Sequence, residues 1–316
     1  WRSQFGFDYS QTQLEGGLSS AYRQDSVYNA DYIYNQDSRR IAAFWKMGRL
    51  WDNWSIGFQN RFYFHNREAF FGDNNQALYS TREYSGQETF GESKLILEHF
   101  WNSTVNGEDL HSHTIKFGGG LLVDSLQETV LGANPLQQER CEFNPYGFAE
   151  YTYEFNTAFA WIAGMRIEHH NLYGLYLLPR MNMRWTTPNK WIVKLSAGRS
   201  ARSPFILTES FGRFASGRQF LIDSEFMDNV YDERAWTYGI NLFKNFEIGN
   251  TSWELIMDVY RTDFQRHTVF NIEDPSILKI QTLQGRAFSN SFQIDLVTNW
   301  LDNLKSSISI KGDQTF

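Results

Sequence analysis

The residues best suited to binding a ligand lie in a polar stretch after residue 200. Arg202, Glu209, Arg213 and Arg218 alternate there with aromatic residues such as Phe211. A guanidinium binds a carboxylate with paired hydrogen bonds, and an aromatic ring stacks on a cation or a flat ligand. This set therefore suits a chelate with carboxylate or catecholate groups. A loop that folds against its own scaffold would have the same residues, and both interpretations stay open.

A second candidate surface is rich in tyrosine and includes Tyr28 and Tyr32. Tyrosine is enriched at protein interfaces as well as at ligand sites. This surface could contact either a small ligand or another protein.

Five cations lie on the polar side of segments in which polar and apolar residues alternate: Arg61, Arg166, Arg180, Arg184 and Lys194. Alternate residues of a strand face the same side, so these cations share one face of a sheet. Facing an enclosed space, they would attract an anionic ligand or an acidic surface. Ordinary solvated ion pairing is the favoured interpretation. The candidate partners are Glu150, Glu154, Glu168 and Asp295.

We find no pattern for catalysis. The segment 198–201 lacks the second glycine of a nucleophile elbow, and no Lys-Ser/Thr pair follows the glycine run 118–120. His169 and His170 are adjacent, so on a strand they point to opposite faces and would not share a metal ion. Cys141 is the single cysteine, which excludes a cysteine metal cage. We expect neither an enzyme nor a bound metal or cofactor.

Composition limits the class of protein. The chain has 316 residues, a net charge of −7 and a pI near 5.6, which argues against nucleic acid as a partner. Hydrophobic residues make up 41%, too many for a disordered chain. A run of about 18 apolar residues, as in a transmembrane helix, is lacking. A transmembrane β-barrel remains possible because its strands alternate apolar and polar residues.

Alternation with a period of two residues dominates the chain. Trp191, Val193 and Leu195 share one face, for example, and Lys194 lies on the other. Such segments run to about ten residues, which spans a membrane and exceeds the usual soluble strand of about 5–6. The pattern predicts about thirteen strands, at 2–9, 39–51, 54–65, 89–101, 112–123, 142–155, 158–169, 174–185, 191–200, 232–246, 252–265, 288–300 and 304–315.

Short and long connections alternate between these strands, except for a brief link near Asn171 on the long-loop side. Tight turns are predicted at 52–53, 156–157, 186–190, 249–250 and 302–303. Long polar connections are predicted at 11–38, 66–88, 124–141, 201–231 and 266–287. Short periplasmic turns and long extracellular loops are typical of a transmembrane antiparallel barrel in the outer membrane.

Tryptophan marks the short-turn end of the hairpins, at positions 51, 54, 101, 185, 191, 253 and 300. An indole ring prefers the membrane–water interface, so these residues predict an aromatic girdle against outer-membrane lipid. Ordinary apolar contacts beside turns are the less favoured interpretation.

The predicted number of strands is odd, whereas a closed single-chain bacterial barrel has an even number. The chain begins at the short-turn side near Trp1 and ends at the long-loop side near Phe316. We therefore expect 1–316 to be one part of a barrel domain, truncated at Phe316.

Two strands and the loop after them resemble TonB-dependent outer-membrane receptors. That family has a P-R-x-N strand, a turn, a strand ending in G-x-x-x-R-x-P, and then a glutamate. The matching residues are Pro179, Arg180, Asn182, Gly198, Arg202, Pro204 and Glu209. The resemblance covers 145–316 and is greatest to Bacteroidetes-type receptors of the siderophore and cobalamin branch. It gives Arg202 and Pro204 a structural role.

The resemblance implies a barrel of about twenty-two strands in the outer membrane of a Gram-negative bacterium. It also implies an N-terminal plug domain and a TonB complex that supplies energy. The implied cargo is a small metal chelate or a similar scarce solute, such as a ferric siderophore or cobalamin. We find no plug-like segment, TonB box or final strands in this sequence, so we expect the plug domain and the C-terminal strands to lie outside this chain.

Two other functions stay open. A receptor-like barrel could be a structural subunit of an outer-membrane complex, with its loops binding protein partners. A soluble all-β glycan-binding or glycosidase domain would also be rich in aromatic residues. The soluble alternative predicts that the protein needs no detergent.

Overall fold

A computed structural model describes residues 1–17, 32–73, 81–105, 108–132, 135–215, 218–222, 232–249, 251–283, 285–301 and 304–315. Almost all of them lie in β-strands. In chain order the elements are β1 (Arg2–Gly17), β2 (Tyr32–Trp51), β3 (Trp54–Asp73), β4 (Arg82–Val105), β5 (Glu108–Leu131), β6 (Leu136–Phe155), β7 (Phe159–His170), β8 (Gly174–Thr186), β9 (Trp191–Arg202), α1 (Ile206–Glu209), a 3-10 turn (Phe211–Arg213), β10 (Gln219–Ile222), β11 (Glu233–Ile248), β12 (Thr251–Arg266), β13 (Thr268–Asn271), β14 (Ile277–Thr282), β15 (Ala287–Leu301) and β16 (Leu304–Thr315).

Thirteen strands form one large antiparallel sheet. Each pairs with the next in the order β1 to β9, β11, β12, β15 and β16. In the described residues β1 and β16 each pair with a single strand, so this sheet is an open segment of a barrel. The predicted fold class, an all-β antiparallel barrel segment of about thirteen strands, is confirmed.

The strands of the first half are longer than predicted. β4 begins at Arg82 rather than at residue 89, and β5 continues to Leu131 rather than ending at 123. β2 to β6 have 20 to 24 residues each, about twice the length that spans a membrane. The sequence missed the extra length because a strand with polar residues on both faces has no alternation to detect.

The register separates an apolar face from a polar face. One apolar row crosses six strands through Phe7, Ala43, Phe62, Gly91, Val123 and Phe143. Every tryptophan within a described strand lies on this same face. Phe62, Val259 and Phe292 are 49%, 51% and 46% exposed, so protein does not cover the face. An uncovered apolar surface of this extent fits lipid better than water.

Tight turns join the hairpins at 52–53, 156–157 and 186–190, as the sequence predicts. Residues 250 and 302–303 of the other two predicted turns lie outside the described residues. Asp52, Asn156 and Lys190 have φ values of 45°, 43° and 61°, and Gly249 has 63°. Asn and Asp tolerate this left-handed conformation better than most residues, and glycine adopts it freely. The turn chemistry therefore agrees with the backbone.

A compact cap lies on the polar face, at the end of the sheet opposite to these turns. It contains α1, the 3-10 turn and a separate three-stranded sheet in the order β10, β14 and β13. Its core with the large sheet consists of Ala69, Phe71, Tyr84, Val130, Ile206, Leu207, Phe214, Leu278 and Ile280. For the stretch after residue 200, a loop folded against its own scaffold was one of the two interpretations left open, and α1 and the 3-10 turn pack on the sheet in that way. The small three-stranded sheet was not predicted. No helix among the described residues is long and apolar enough to cross a membrane.

Candidate functional site

The polar face of the large sheet is the candidate functional surface. The cap segment that follows β9 packs on β4 and β5, which lie five and four places away in the strand order. The sheet therefore curves toward its polar face. We call this face the inner wall.

Three of the five predicted cations on the inner wall hold a carboxylate. The pairs are Arg61–Glu92 at 2.7 Å, Arg166–Glu168 at 2.7 Å, and Arg180–Glu150. Two of these carboxylates, Glu150 and Glu168, are among the partners proposed from the sequence. Arg61 and Arg180 are 60% and 62% exposed, so their pairs are solvated and contribute little stability each.

The other two predicted cations, Arg184 and Lys194, have no carboxylate partner among the described residues. They lie directly opposite each other in the β8–β9 register. Like charges in directly opposite positions repel and are destabilising. Both line a hollow of about 530 Å³ in the short-turn half of the inner wall.

The glycine run at 118–120 has a local explanation. A Cβ on Gly120 would lie 2.4 Å from the carbonyl oxygen of Ser93 and 2.6 Å from the hydroxyl oxygen of Tyr146. The glycine lets the Tyr146 ring lie close to the wall, where its hydroxyl donates to Glu92 at 2.7 Å. The glycine at position 120 is therefore explained by contacts within the wall itself.

Arg202 and Glu209 hold the start of the cap to the end of the sheet. Arg202 donates to both carboxylate oxygens of Glu209, at 2.8 and 3.3 Å, and it pairs with Glu233 at 2.6 Å. Glu233 also accepts from the backbone N–H of Thr268 and lies 3.0 Å from Nδ1 of His267. Burial raises the pKa of Glu233, but hydrogen bonds from His267, Thr268 and Arg202 outweigh it and lower the pKa to about 2. Glu233 is therefore ionised at neutral pH and acts as a fixed anchor.

Phe211 packs within an aromatic cluster. Its ring centroid lies 5.0 Å from that of Tyr84 and 5.2 Å from that of Phe71, both edge to face. The guanidinium of Arg67 lies 5.5 Å from the Phe211 centroid. Phe211 thus contributes to holding the cap on the wall, and a role in ligand contact stays a prediction.

The four remaining predicted ligand contacts differ in their surroundings. Arg213 stacks over Phe270, 4.1 Å from its ring centroid, and Arg218 is half-buried near β10. Tyr32 is the first residue of β2, so its assignment to a loop was wrong. The first residues of β2 do not alternate between polar and apolar, and nothing in the sequence therefore indicated a strand there. Tyr28 lies outside the described residues.

Two buried arginines, Arg82 and Arg140, were missed by the sequence analysis. Arg82 donates to the backbone carbonyl of Phe214 at 2.9 Å, and Arg140 donates to that of Pro204 at 2.8 Å. Each arginine is 7% exposed. A buried guanidinium needs partners. The cap backbone provides one for each arginine, and Arg140 also pairs with the buried Glu142 at 2.6 Å. Both arginines lie in stretches that the sequence analysis assigned to polar connections.

Glu128 is a third missed contact between the wall and the cap. It is 1% exposed and accepts hydrogen bonds from the hydroxyls of Tyr84 and Thr208. Burial raises its pKa, and the hydrogen bonds from Thr208 and Tyr84 oppose that shift. Glu128 lies in 124–141, which was predicted to be a polar connection, so nothing in the sequence marked it as buried.

The two adjacent histidines face opposite ways. His170 is 3% exposed and lies 3.2 Å from both Glu142 and Ser203, and His169 is on the apolar face. The described part of the chain contains no group of three or more His, Cys, Asp or Glu residues positioned to hold a metal ion.

Comparison with solved structures defines the fold. The siderophore receptor PirA from Pseudomonas aeruginosa aligns with 98% of this chain and 63% of its own length, at a TM-score of 0.51 and 12% identity. The ferripyoverdine receptor of the outer membrane of the same species aligns with 99% of this chain and 47% of its own, at 0.58 and 12%. The RagAB peptide importer aligns with 90% and 37%, at 0.56 and 10%.

The chain therefore has the barrel fold of outer-membrane receptors and spans less than two thirds of each of these neighbours. No protein-family model matches it, and no curated protein sequence does. These neighbours are described as receptors and a peptide importer.

Proposed function

We propose that this chain is part of the barrel of a TonB-dependent receptor in a Gram-negative outer membrane. The whole protein would take up a scarce solute. The two-sided sheet carries this proposal: its outward face is apolar over about ten residues per strand, the length that crosses a bilayer. Its inner wall is lined by Arg61, Arg166 and Arg180 with their carboxylates. A soluble sheet would cover its apolar face with further protein.

The proposed solute is a small metal chelate, such as a ferric siderophore or cobalamin. Arg202, Pro204 and Glu209 belong to the motif that resembles TonB-dependent receptors. The resemblance over 145–316 as a whole is greatest to the Bacteroidetes-type branch of siderophore and cobalamin receptors. Two of the structural neighbours are described as a siderophore receptor and a ferripyoverdine receptor. Because RagAB is described as a peptide importer, peptides belong in the same ligand screen.

The proposal includes a complete barrel of about twenty-two strands, with an N-terminal plug domain and TonB acting on it. The two edge strands of the sheet indicate further strands in the whole barrel. β1 and β16 each pair with one strand in the described sheet. Unpaired backbone groups in hydrocarbon are costly, so strands outside this chain would pair with these edges.

Uptake in cells tests the proposal. A strain without the gene for the whole protein is compared with the wild type for uptake of labelled ferric siderophores, cobalamin and short peptides. We expect one class to lose uptake, to regain it on complementation, and to stay without uptake when TonB is absent. Unchanged uptake for every class, or extraction of the protein without detergent, would contradict the proposal.

A structural subunit of an outer-membrane complex is the second candidate. The length of β2 to β6 favours this candidate. These strands continue well past the apolar part of the outward face, and their polar outer surface is exposed to partners. Purification in mild detergent separates the two candidates. Stoichiometric partners together with unchanged solute uptake would support the subunit.

A further inference from the structure

Cations on the inner wall fall into two groups according to their surroundings. Arg61, Arg166 and Arg180 hold carboxylates. Lys46 and Lys94 rest over phenylalanine rings, 5.3 and 4.9 Å from the ring centroids. Each of these cations has a counter-charge or a π-face that compensates it within the wall.

Arg184 and Lys194 differ from that group. They face each other across β8 and β9, and neither has an ion pair or a ring partner among the described residues. Two cations set opposite each other cost free energy unless an anion lies between them. The arrangement is therefore suited to an anion that approaches from the interior.

The hollow beside them has the size and lining of a small binding site. Its volume of about 530 Å³ lies within the range of about 300–1,000 Å³ typical of ligand pockets. Asn182, Ser196 and Asn241 add hydrogen-bonding groups to its lining. Glu154 lines it as well, so the lining is cationic on one side and acidic on the other.

A glycine keeps part of this hollow open. A Cβ at Gly239 would lie 2.4 Å from the Tyr260 ring and 2.5 Å from Oγ of Ser196. The missing side chain lets Tyr260 lie close to the wall instead of filling the hollow. We call the hollow with its two opposed cations the anion recess.

We propose that the anion recess binds a carboxylate-bearing group between Arg184 and Lys194. The guanidinium fork fits both carboxylate oxygens, and the ammonium adds a point charge from the neighbouring strand. The carboxylate has two possible sources: a solute passing through the barrel, or an acidic side chain of a segment that lies inside it. The inference rests on the proposed function only in requiring that the inner wall encloses an interior.

Citrate titration of the whole protein, purified in detergent, tests the recess. Isothermal titration calorimetry compares the wild type with the R184Q/K194Q variant. The control variant K46Q/K94Q removes two positive charges from the same wall at a different place. If a solute uses the recess, citrate binds to the wild type and the control but at least tenfold more weakly to R184Q/K194Q. Binding to the wild type also weakens with added salt.

Hydrogen exchange detects the second source of the carboxylate. If an interior side chain already fills the recess, citrate binds to none of the three proteins. R184Q/K194Q then increases exchange in that interior segment at least tenfold, whereas K46Q/K94Q does not. The recess is disproved if citrate binds equally to all three proteins, or if neither binding nor exchange distinguishes the double variant from the control.

A folding control separates loss of citrate binding from loss of the folded barrel. Each variant must show the same heat-dependent gel mobility as the wild type, since an unfolded barrel cannot report on the recess. The test needs no uptake measurement. Citrate binding that requires Arg184 and Lys194 would stand even if the uptake experiment failed.

Discussion

Arg202 binds both carboxylate oxygens of Glu209, seven residues further along the chain, while it also pairs with Glu233. One guanidinium thus connects the end of β9, the end of α1 and the start of β11. Glu209 is 40% exposed and Glu233 is 9% exposed. The two pairs therefore lie in different dielectric surroundings and should differ in strength.

Substitution of these two glutamates should show that difference. Glu209→Gln should weaken docking of the cap by about 1 kcal/mol or less, since its pair is solvated. Glu233→Gln should weaken it more, by about 1.5–3 kcal/mol, because its partly buried donors lose a charged acceptor. Hydrogen exchange in residues 203–214 of the whole protein measures both. Equal effects of the two substitutions would show that the pair with the buried Glu233 is no stronger than the solvated pair with Glu209.

Acid should release the cap through Glu233. Its folded pKa of about 2 lies below the ordinary value of 4.5, so the ionised form stabilises the folded cap. That stabilisation is complete above pH 4.5 and is lost as the pH falls toward 2. Pepsin cleavage at residues 203–214 should therefore increase over this range.

The E233Q variant is the control for this acid release, because it has no carboxylate to protonate at this position. Its cleavage should rise less steeply between pH 4.5 and 2 than that of the wild type. Parallel curves for both proteins would assign the acid response to other groups.

The packing of Phe214 should dominate the stability of the cap. Phe214 is 1% exposed, and its ring lies within 5.8 Å of Phe71 and 6.2 Å of Tyr84, centroid to centroid. Phe214→Ala should leave a cavity and cost about 3–5 kcal/mol of cap docking. The backbone carbonyl that accepts from Arg82 is unchanged by this substitution.

Hydrogen exchange in the cap measures the effect, with Leu221→Ala as the matched control. Leu221 is 40% exposed in β10, so its truncation should have a much smaller effect. A cap that keeps wild-type protection without the Phe214 ring would show that the buried hydrogen bonds hold it alone.

Strands and turns are predictable from the sequence where they follow the bilayer pattern. Alternation along Trp191, Val193 and Leu195 reflects lipid on one side and a polar interior on the other, and the structure has β9 there. Asp52 and Asn156 marked turns because their residue type tolerates the required backbone. These signals are local, so a single sequence contains them.

Contacts between residues that are distant in sequence are not predictable in this way. Arg82 and Phe214 are 132 residues apart, and nothing near either one indicates the hydrogen bond between them. Phe71 and Tyr84 lie in the parts of β3 and β4 that extend past the apolar outward face, where polar and apolar residues no longer alternate. The buried core of the cap therefore appears only in three dimensions, and with it the structural contacts of Arg202, Glu209 and Phe211.

A charge on the outward face should show whether that face lies against lipid. Ile294 is outward in β15, between Met257 of β12 and Ile310 of β16. Ile294→Arg near the middle of the apolar band should cost about 2–4 kcal/mol if the band lies in a membrane. The neighbouring Gln293 points to the inner wall, where Gln293→Arg would lie beside Asp295 and should cost little. Urea titration of the whole protein refolded in lipid vesicles measures both variants. An equal cost for the two substitutions would show that the apolar face does not lie against lipid.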